Sequence, residues 1–481
     1  MEKTYYLLCL GCPKNEVDAE QMMTDLEKAG YESTDDPDEA SYLILNTCAF
    51  IDSAKEEALD YLAELINTKE ARREEGMDTK LVVTGCLPQV AGAELVKKYA
   101  DVDAVLGTAD YGDLVPLLED LSKNQAELLE KRRAYRPGKP GSIAYLTTDR
   151  MASGDRNYAY LKIAEGCSNA CTYCAIPRIR GGQQSRPMED LVAEAKHLEG
   201  QGFQELIVVA QDTTRYGLDR YGHFALPELL TQLLKETSFP WIRTLYFYSE
   251  AVTPELIELY QKEPRLVPYI DLPIQHISDP VLKAMHRKDT GAGIRDLIAR
   301  LRAQIPNLVL RTTVMVGFPG ETEEDFNKLL AFVKEEKFER LGVFVFSPQE
   351  HTLAYQLPDW VDPEVGQARY ETLMAAQETV SADWNQKRMG TCTEVLIDGV
   401  DPDGLAWVAR SYAEAPNIDP EIVVYDTVGD LDLGARVKVK IVEADTYDVE
   451  AVYGEPTDTL ESDDEEVTND LESSCGEATN L

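Results

Sequence analysis

Between residues 153 and 383 the chain repeats a strand-like apolar run followed by a helix-like stretch at least six times. Predicted strands lie at 158–164, 205–210, 244–248, 269–273, 309–316 and 342–346. Predicted helices lie at 188–199, 226–235, 254–262, 279–286, 294–304 and 323–335. Strands that alternate with helices pair in parallel through crossovers. Six such units predict a barrel or a partial (β/α)6 barrel. In barrels of this kind the chemistry sits at the C-terminal ends of the strands.

Just past the first of these strands comes Glu165-Gly-Cys-Ser-Asn-Ala-Cys-Thr-Tyr-Cys-Ala-Ile-Pro177. Its thiols, Cys167, Cys171 and Cys174, have the spacing C-x3-C-x2-C, and no fourth cysteine follows nearby. Thiolates hold iron–sulfur clusters. A cubane has four irons, so three thiolates leave one iron open, and open metal positions are where chemistry happens. A structural zinc site would bring four ligands, often as paired C-x2-C units. The five histidines all lie outside the loop. A disulfide framework does not suit a long chain that shows no secretory signal.

Residues 1–120 show the same alternation. Strands are expected at 4–9, 41–45, 80–83 and 102–106, with helices near 17–28, 53–67 and 91–99. This predicts a doubly wound parallel sheet. Cys12, Cys48 and Cys86 each fall just beyond one of the first three strands. In open α/β sheets ligands bind outside the carboxyl ends of the strands. Three loops would therefore bring three thiolates to one edge, a second three-cysteine cluster. Three unrelated buried cysteines are the plainer alternative.

Residues 121–152 read as a linker, basic and rich in Pro and Gly at 131–140, with a solvated hinge expected. Residues 386–454 turn to five short strands, near 394–397, 405–411, 422–425, 436–442 and 447–451. They predict a small antiparallel β-barrel of the oligonucleotide-binding kind. Yet 391–454 carries 14 acidic residues against 4 basic ones. A barrel that grips nucleic acid should be basic, so weak or absent nucleic-acid binding is expected. The tail at 455–481 holds ten Asp and Glu and no Lys or Arg, and is expected to be disordered. Cys475 within it is not expected to be a ligand.

Overall the 481 residues carry a net charge of −40. Such a chain would attract a basic protein, or would simply reflect an acidic proteome such as that of a salt-adapted organism. No run of about 18 apolar residues suggests a membrane span, and the short apolar start does not read as a signal segment. A cytoplasmic protein is expected, where cysteines stay reduced.

The Cys167 loop resembles the radical S-adenosylmethionine superfamily. Nearly the whole chain is similar to one subgroup, the methylthiotransferases. The likeness rests on Cys12, Cys48 and Cys86, on the Cys167 loop, on Gly317-Phe-Pro-Gly-Glu-Thr322, and on a last barrel that looks like a TRAM domain. Leu10-Gly-Cys-Pro-Lys-Asn15, Asn46-Thr-Cys-Ala-Phe-Ile-Asp-Ser53, Ala210-Gln-Asp-Thr-Thr-Arg-Tyr-Gly217, Asp271-Leu-Pro-Ile-Gln-His276 and Ala415-Pro-Asn-Ile-Asp419 look most like the members that modify an aspartate of a ribosomal protein. The family often has His-Pro after the third barrel strand, where this chain has Ser249-Glu250.

The resemblance implies two [4Fe-4S] clusters and S-adenosylmethionine as cofactors. It implies a methylthio group replacing a hydrogen on the β-carbon of one aspartate in a small-subunit ribosomal protein near the decoding centre. The Cys167/Cys171/Cys174 cluster would generate the radical, and the Cys12/Cys48/Cys86 cluster would carry the sulfur. An external electron donor and a sulfur source would be needed. The same chemistry on a transfer-RNA adenosine is the nearest alternative, and a non-catalytic iron–sulfur sensor a more distant one. For the cofactor pocket the expected residues are Gly317 and Glu321 at one strand end and Gln211 and Asp212 at another. The glycines could equally serve only a turn, and Asp212 a helix cap. Arg178, Arg180 and Arg186 read as carboxylate partners or as solvated surface residues, and His276 as a hydrogen-bonded structural residue.

Overall fold

The computed structural model describes residues 2–123, 130, 138–152, 154 and 156–454. The acidic tail, Cys475 and the basic run at 131–136 lie outside the described residues.

The first sheet contains β1 (Thr4–Cys9), β2 (Glu32–Ser33), β3 (Tyr42–Thr47), β4 (Lys80–Gly85) and β5 (Ala104–Gly107). Its order is β2-β1-β3-β4-β5, all parallel. β3 and β4 are buried along their whole length. That is why they read as continuous apolar runs and not as alternating ones. This order reverses direction between β1 and β3, and the crevice at such a reversal is where doubly wound sheets bind ligands. Helices α1 (Pro13–Lys28), α2 (Asp52–Glu74) and α3 (Cys86–Lys98) follow β1, β3 and β4. α1 and α3 begin earlier in the chain than the sequence pattern suggests, because the first turn of each is spent on the cysteine loop and not on the apolar stripe.

The second sheet is formed by β6 (Tyr158–Lys162), β9 (Glu205–Val209), β10 (Trp241–Thr244), β11 (Leu266–Asp271), β12 (Val309–Val316) and β13 (Arg340–Val345). These strands lie side by side in chain order. Every neighbouring pair is parallel, so the sheet is an open partial barrel. A short ribbon of β7 (Ala164–Glu165) and β8 (Gln184–Ser185) brackets the Cys167 loop. Successive side chains point to opposite faces. Ala159 and Leu161 pack outward against the helices. Tyr158 and Tyr160 point inward, where they meet Val17 of α1 and Ala413 and Ala415 of the last barrel.

One strand differs from expectation. The run expected at 244–248 is a strand only at Trp241–Thr244. Beyond it the Asp271 carboxylate accepts the Tyr246 N–H (3.0 Å) and the Asp271 carbonyl accepts that of Phe247 (2.9 Å). The chain thereby leaves the ladder, and 245–248 becomes a loop. The helix Pro363–Arg388 has no counterpart among the predicted helices.

The last unit is a closed barrel of β14 (Cys392–Val400), β15 (Trp407–Arg410), β16 (Ile422–Asp426), β17 (Arg436–Ala444) and β18 (Val449–Tyr453). It is not wholly antiparallel: β16 and β18 pair in parallel, Ile422 opposite Val449. The barrel docks through buried ions. Arg410 holds Glu205 (2.7 Å) and Asp398 (2.5 Å), and Glu205 also takes Arg243 (2.6 Å). Buried charges persist only when paired and hydrogen-bonded, so this cluster fixes where the barrel sits.

Residues 138–152 are not a solvated hinge. Tyr145 is buried and donates to Asp18 (2.7 Å). Arg150 is fully buried and pairs with Glu20 of α1 and Glu194 (2.9 Å). The segment therefore joins the two sheets by packing between them. Among the described residues no helix is long and apolar enough to cross a membrane.

Candidate active site

All six cysteines of the two triads line a single cavity of about 580 Å³. That lies within the range of small-molecule and cofactor sites. Its walls come from the first sheet, the open barrel and, through Asn417, the last barrel.

The N-terminal triad is built from strand-to-helix junctions. Cys12 is the residue before α1, and Cys86 is the first residue of α3. Helix N-termini favour negative charge and so favour thiolates. Asn15 knits the loops together: its Nδ2 donates to the Leu10 carbonyl (2.9 Å) and the Thr47 carbonyl (3.1 Å). Thr47 Oγ1 in turn donates to the Thr84 carbonyl (2.7 Å). Gly85, at φ +98°, lets β4 turn sharply into Cys86, and a Cβ there would sit 2.5 Å from the Thr47 carbonyl oxygen.

The second triad lies on a loop held at both ends. Cys167 N–H donates to the Gly181 carbonyl (3.0 Å), and Thr172 N–H to that of Met285 (3.0 Å). Asn169 Nδ2 donates to Asp212 (2.6 Å). Gly166 has φ +74°, and a Cβ on it would lie 2.5–2.8 Å from the carbonyl oxygens of Gly182, Gly181 and Arg180. Gly166→Ala is therefore expected to destabilise the loop by about 2–5 kcal/mol, the sum of a left-handed residue and an overpacked contact. Thermal unfolding, and iron retained after anaerobic reconstitution, would both report the loss.

Burial pushes the thiols of Cys86 and Cys174 up to about 12 and that of Cys167 to about 11, and it raises Cys48 as well. Neighbouring thiolates within each triad add to these shifts. Cys12 goes the other way: burial pushes it up, but Lys14, Arg180 and hydrogen bonds from the Asn15 and Lys14 N–H groups together hold it below its ordinary value. All six thiols are free. Three soft donors around shared space suit an iron–sulfur cluster. Among the described residues no three His, Cys, Asp or Glu side chains converge as a ready site for a single metal ion. A cubane makes a different demand, since each thiolate binds its own iron at a separate corner.

Behind the N-terminal triad lies a buried ionic cluster. Arg180 pairs with Asp18 (2.5 Å) and Glu165 (3.2 Å), and Lys162 pairs with both acids, with Asp18 at 2.6 Å. Arg180 also reaches Asn15 and the Cys86 sulfur (3.4 Å). Arg186 is likewise buried against Glu194 (2.6 Å). Neither is a solvated surface residue, whereas Arg178 is exposed.

Gln211 and Asp212 line the cavity. Gln211 donates to Glu165 (3.1 Å), while its own carbonyl oxygen is buried without a partner. Burial raises the Asp212 carboxyl above its ordinary value, against hydrogen bonds from Thr214 and Asn169. Gly317 and Glu321 are not brought to the cavity wall. The Glu321 carboxylate turns inward, accepts the Gly317 N–H, and pairs with Arg369 (3.0 Å). His276 is fully buried; its Nδ1 accepts from Ser278 N–H (3.0 Å), so Nε2 carries the proton toward Glu321 (3.3 Å). Ser249 and Glu250 engage Asp289 and Lys288 and do not line the cavity.

Sequence reasoning missed several lining residues, among them Lys14, Tyr246, Gln275 and Asn417. Tyr246, Gln275 and Asn417 adopt left-handed backbone, at φ 64°, 68° and 59°. Such residues cost about 1–3 kcal/mol each and cluster where function fixes them.

Family models match three stretches of the chain. An uncharacterized protein family, UPF0004, covers residues 4–107, the radical SAM superfamily 161–333, and a TRAM domain 389–453. The ribosomal protein uS12 methylthiotransferase RimO of Acetivibrio thermocellus is 42% identical over 449 residues, 93% of this chain and 98% of that protein. The protein of the same name from Geobacter sulfurreducens is 43% identical over 444 residues, 92% and 97% of the two chains. Among solved structures, the radical S-adenosylmethionine methyltransferase TsrM from Kitasatospora setae, with cobalamin and a [4Fe-4S] cluster bound, aligns with a TM-score of 0.55 at 14% identity. That alignment covers 72% of this chain and 75% of the other, a likeness of fold alone.

Proposed function

This chain belongs to the RimO family of radical S-adenosylmethionine methylthiotransferases, and from that premise we propose that it methylthiolates the β-carbon of an aspartate in ribosomal protein uS12. The observation that carries the reading is the opening of both cysteine triads onto one cavity. Cys167, Cys171 and Cys174 would hold one [4Fe-4S] cluster, and Cys12, Cys48 and Cys86 the other. A cluster held by the first triad would supply the electron for cleaving S-adenosylmethionine, and one held by the second would supply the sulfur to be methylated and transferred. An unactivated C–H bond offers no acid that a side-chain base could use, so the hard step belongs to the cofactors and the protein's task is placement. Asp212 and Gln211 line the same cavity and would meet S-adenosylmethionine there, the orphaned Gln211 oxygen offering an acceptor. Two molecules of S-adenosylmethionine are needed, one for the methyl group and one for the radical. An electron donor and a sulfur source come from outside the chain.

The net charge of −40 suits a basic ribosomal protein as partner. The acidic composition of 391–454 speaks against transfer RNA as the substrate. The test compares uS12 from a deletion strain before and after restoring this gene. The expected result is a gain of one methylthio group on a single aspartate. Loss of a methylthio nucleoside from transfer RNA in the deletion strain, with uS12 unchanged, would overturn the reading.

A further inference from the structure

Three cations line the cavity: Lys14, Arg180 and Arg287. Arg180 holds Asp18 and Glu165, and Arg287 holds Asp289 (2.9 Å). Lys14 forms no ion pair with any described carboxylate, although it is only 7% exposed. Its ammonium instead sits 3.4 Å from the centroid of the Tyr246 ring, the ring of a residue held in left-handed backbone. The nearest anion is the Cys12 thiolate, which a cluster would claim, and a buried ammonium with no carboxylate partner is costly, a cost an aromatic ring offsets only in part. The helix to which Lys14 belongs packs, through Val17, against the same cluster as Tyr246 and the 412–418 segment of the last barrel. Asn417 on that segment reaches the cavity and donates to the Tyr158 hydroxyl (2.9 Å). The ammonium thus waits where the two sheets and the barrel meet, beside Cys12.

We infer that Lys14 receives the carboxylate of the substrate side chain, with Tyr246 holding the ammonium in place until it arrives. This rests on the reading of the substrate as an aspartate of a basic protein. Two other anions compete for the role: the carboxylate of S-adenosylmethionine and the Cys12 thiolate itself.

The test uses anaerobically purified full-length protein and two uS12 peptides that differ only in having Asp or Asn at the target position. Wild-type protein is expected to bind the Asp peptide about 30-fold more tightly or better, as expected for a buried charge pair. Lys14→Gln is expected to bring the two affinities within about threefold of each other, and Lys14→Arg to keep most of the preference. Wild type that binds both peptides alike overturns the inference, as does Lys14→Gln that keeps the preference. A preserved peptide preference combined with a raised KM for S-adenosylmethionine assigns the ammonium to that cofactor. A preserved preference with lowered iron and sulfide content assigns it to the Cys12 thiolate. Wild type that modifies no uS12 at all overturns the functional reading itself, and this inference with it.

Discussion

Cys171→Ala is expected to lower production of 5′-deoxyadenosine from S-adenosylmethionine by on the order of 10³-fold or more, because the ligands of one centre act as a unit. Cys171 lines the shared cavity on a loop that its neighbours anchor at both ends. The fold should therefore survive the change while the centre does not. Cys48→Ala is the informative partner. It alters the other triad, across the cavity, and is expected to retain cofactor cleavage while losing methylthio transfer. Liquid chromatography of the nucleoside product, run beside mass spectrometry of uS12, separates the two defects. Equal loss of cleavage in both variants would mean that the triads do not divide the work.

The second large effect concerns Arg180. Its guanidinium, 2% exposed, is held by Asp18 of α1 and Glu165 of the barrel loop, and it touches Asn15 and Cys86 as well. Among the described residues, Arg180→Met would leave Lys162 as the only cation paired with the two buried acids. Breaking a buried pair from one side costs about 3–5 kcal/mol, a large share of the 5–15 kcal/mol that stabilises a typical domain. Unfolding by urea is expected to shift accordingly. Asp18→Asn in the same chain should recover part of the loss, since it removes the charge left without a partner. If the double variant is no more stable than Arg180→Met alone, the cluster is not the tie between the two units.

The legibility of this protein in its sequence follows from which signals are local. Strands β1 and β12 and the helix Pro254–Lys262 coincide with their expected spans, because apolar periodicity marks them. The thiols at strand ends were legible for the same reason, since position beyond an apolar run is itself a local property. The helix Pro363–Arg388 was not, because its buried residues are Gly366, Arg369, Leu373, Gln377, Val380, Ser381 and Asn385. They fall at helical spacing but are mostly polar or small, so no apolar stripe shows. Glu321 looked like a cofactor residue from its place after β12. Arg369, 48 residues away on that unseen helix, draws it inward instead. Lys14 and Asn417 escaped notice because only the assembled chain brings α1 and the 412–418 segment together.

Asn417 carries a consequence for any attempt to cut the chain into pieces. The three regions matched by separate family models suggest modules to be expressed, swapped or evolved one at a time. Yet the barrel's own loop forms part of the chamber around the cysteines, and Arg410 clasps Glu205 on the strand beside β6. A fragment ending before the barrel would not be a smaller enzyme with a weaker grip. It would be a reaction vessel without the Asn417 side of its lining and without the clasp that sets the sheet against the barrel.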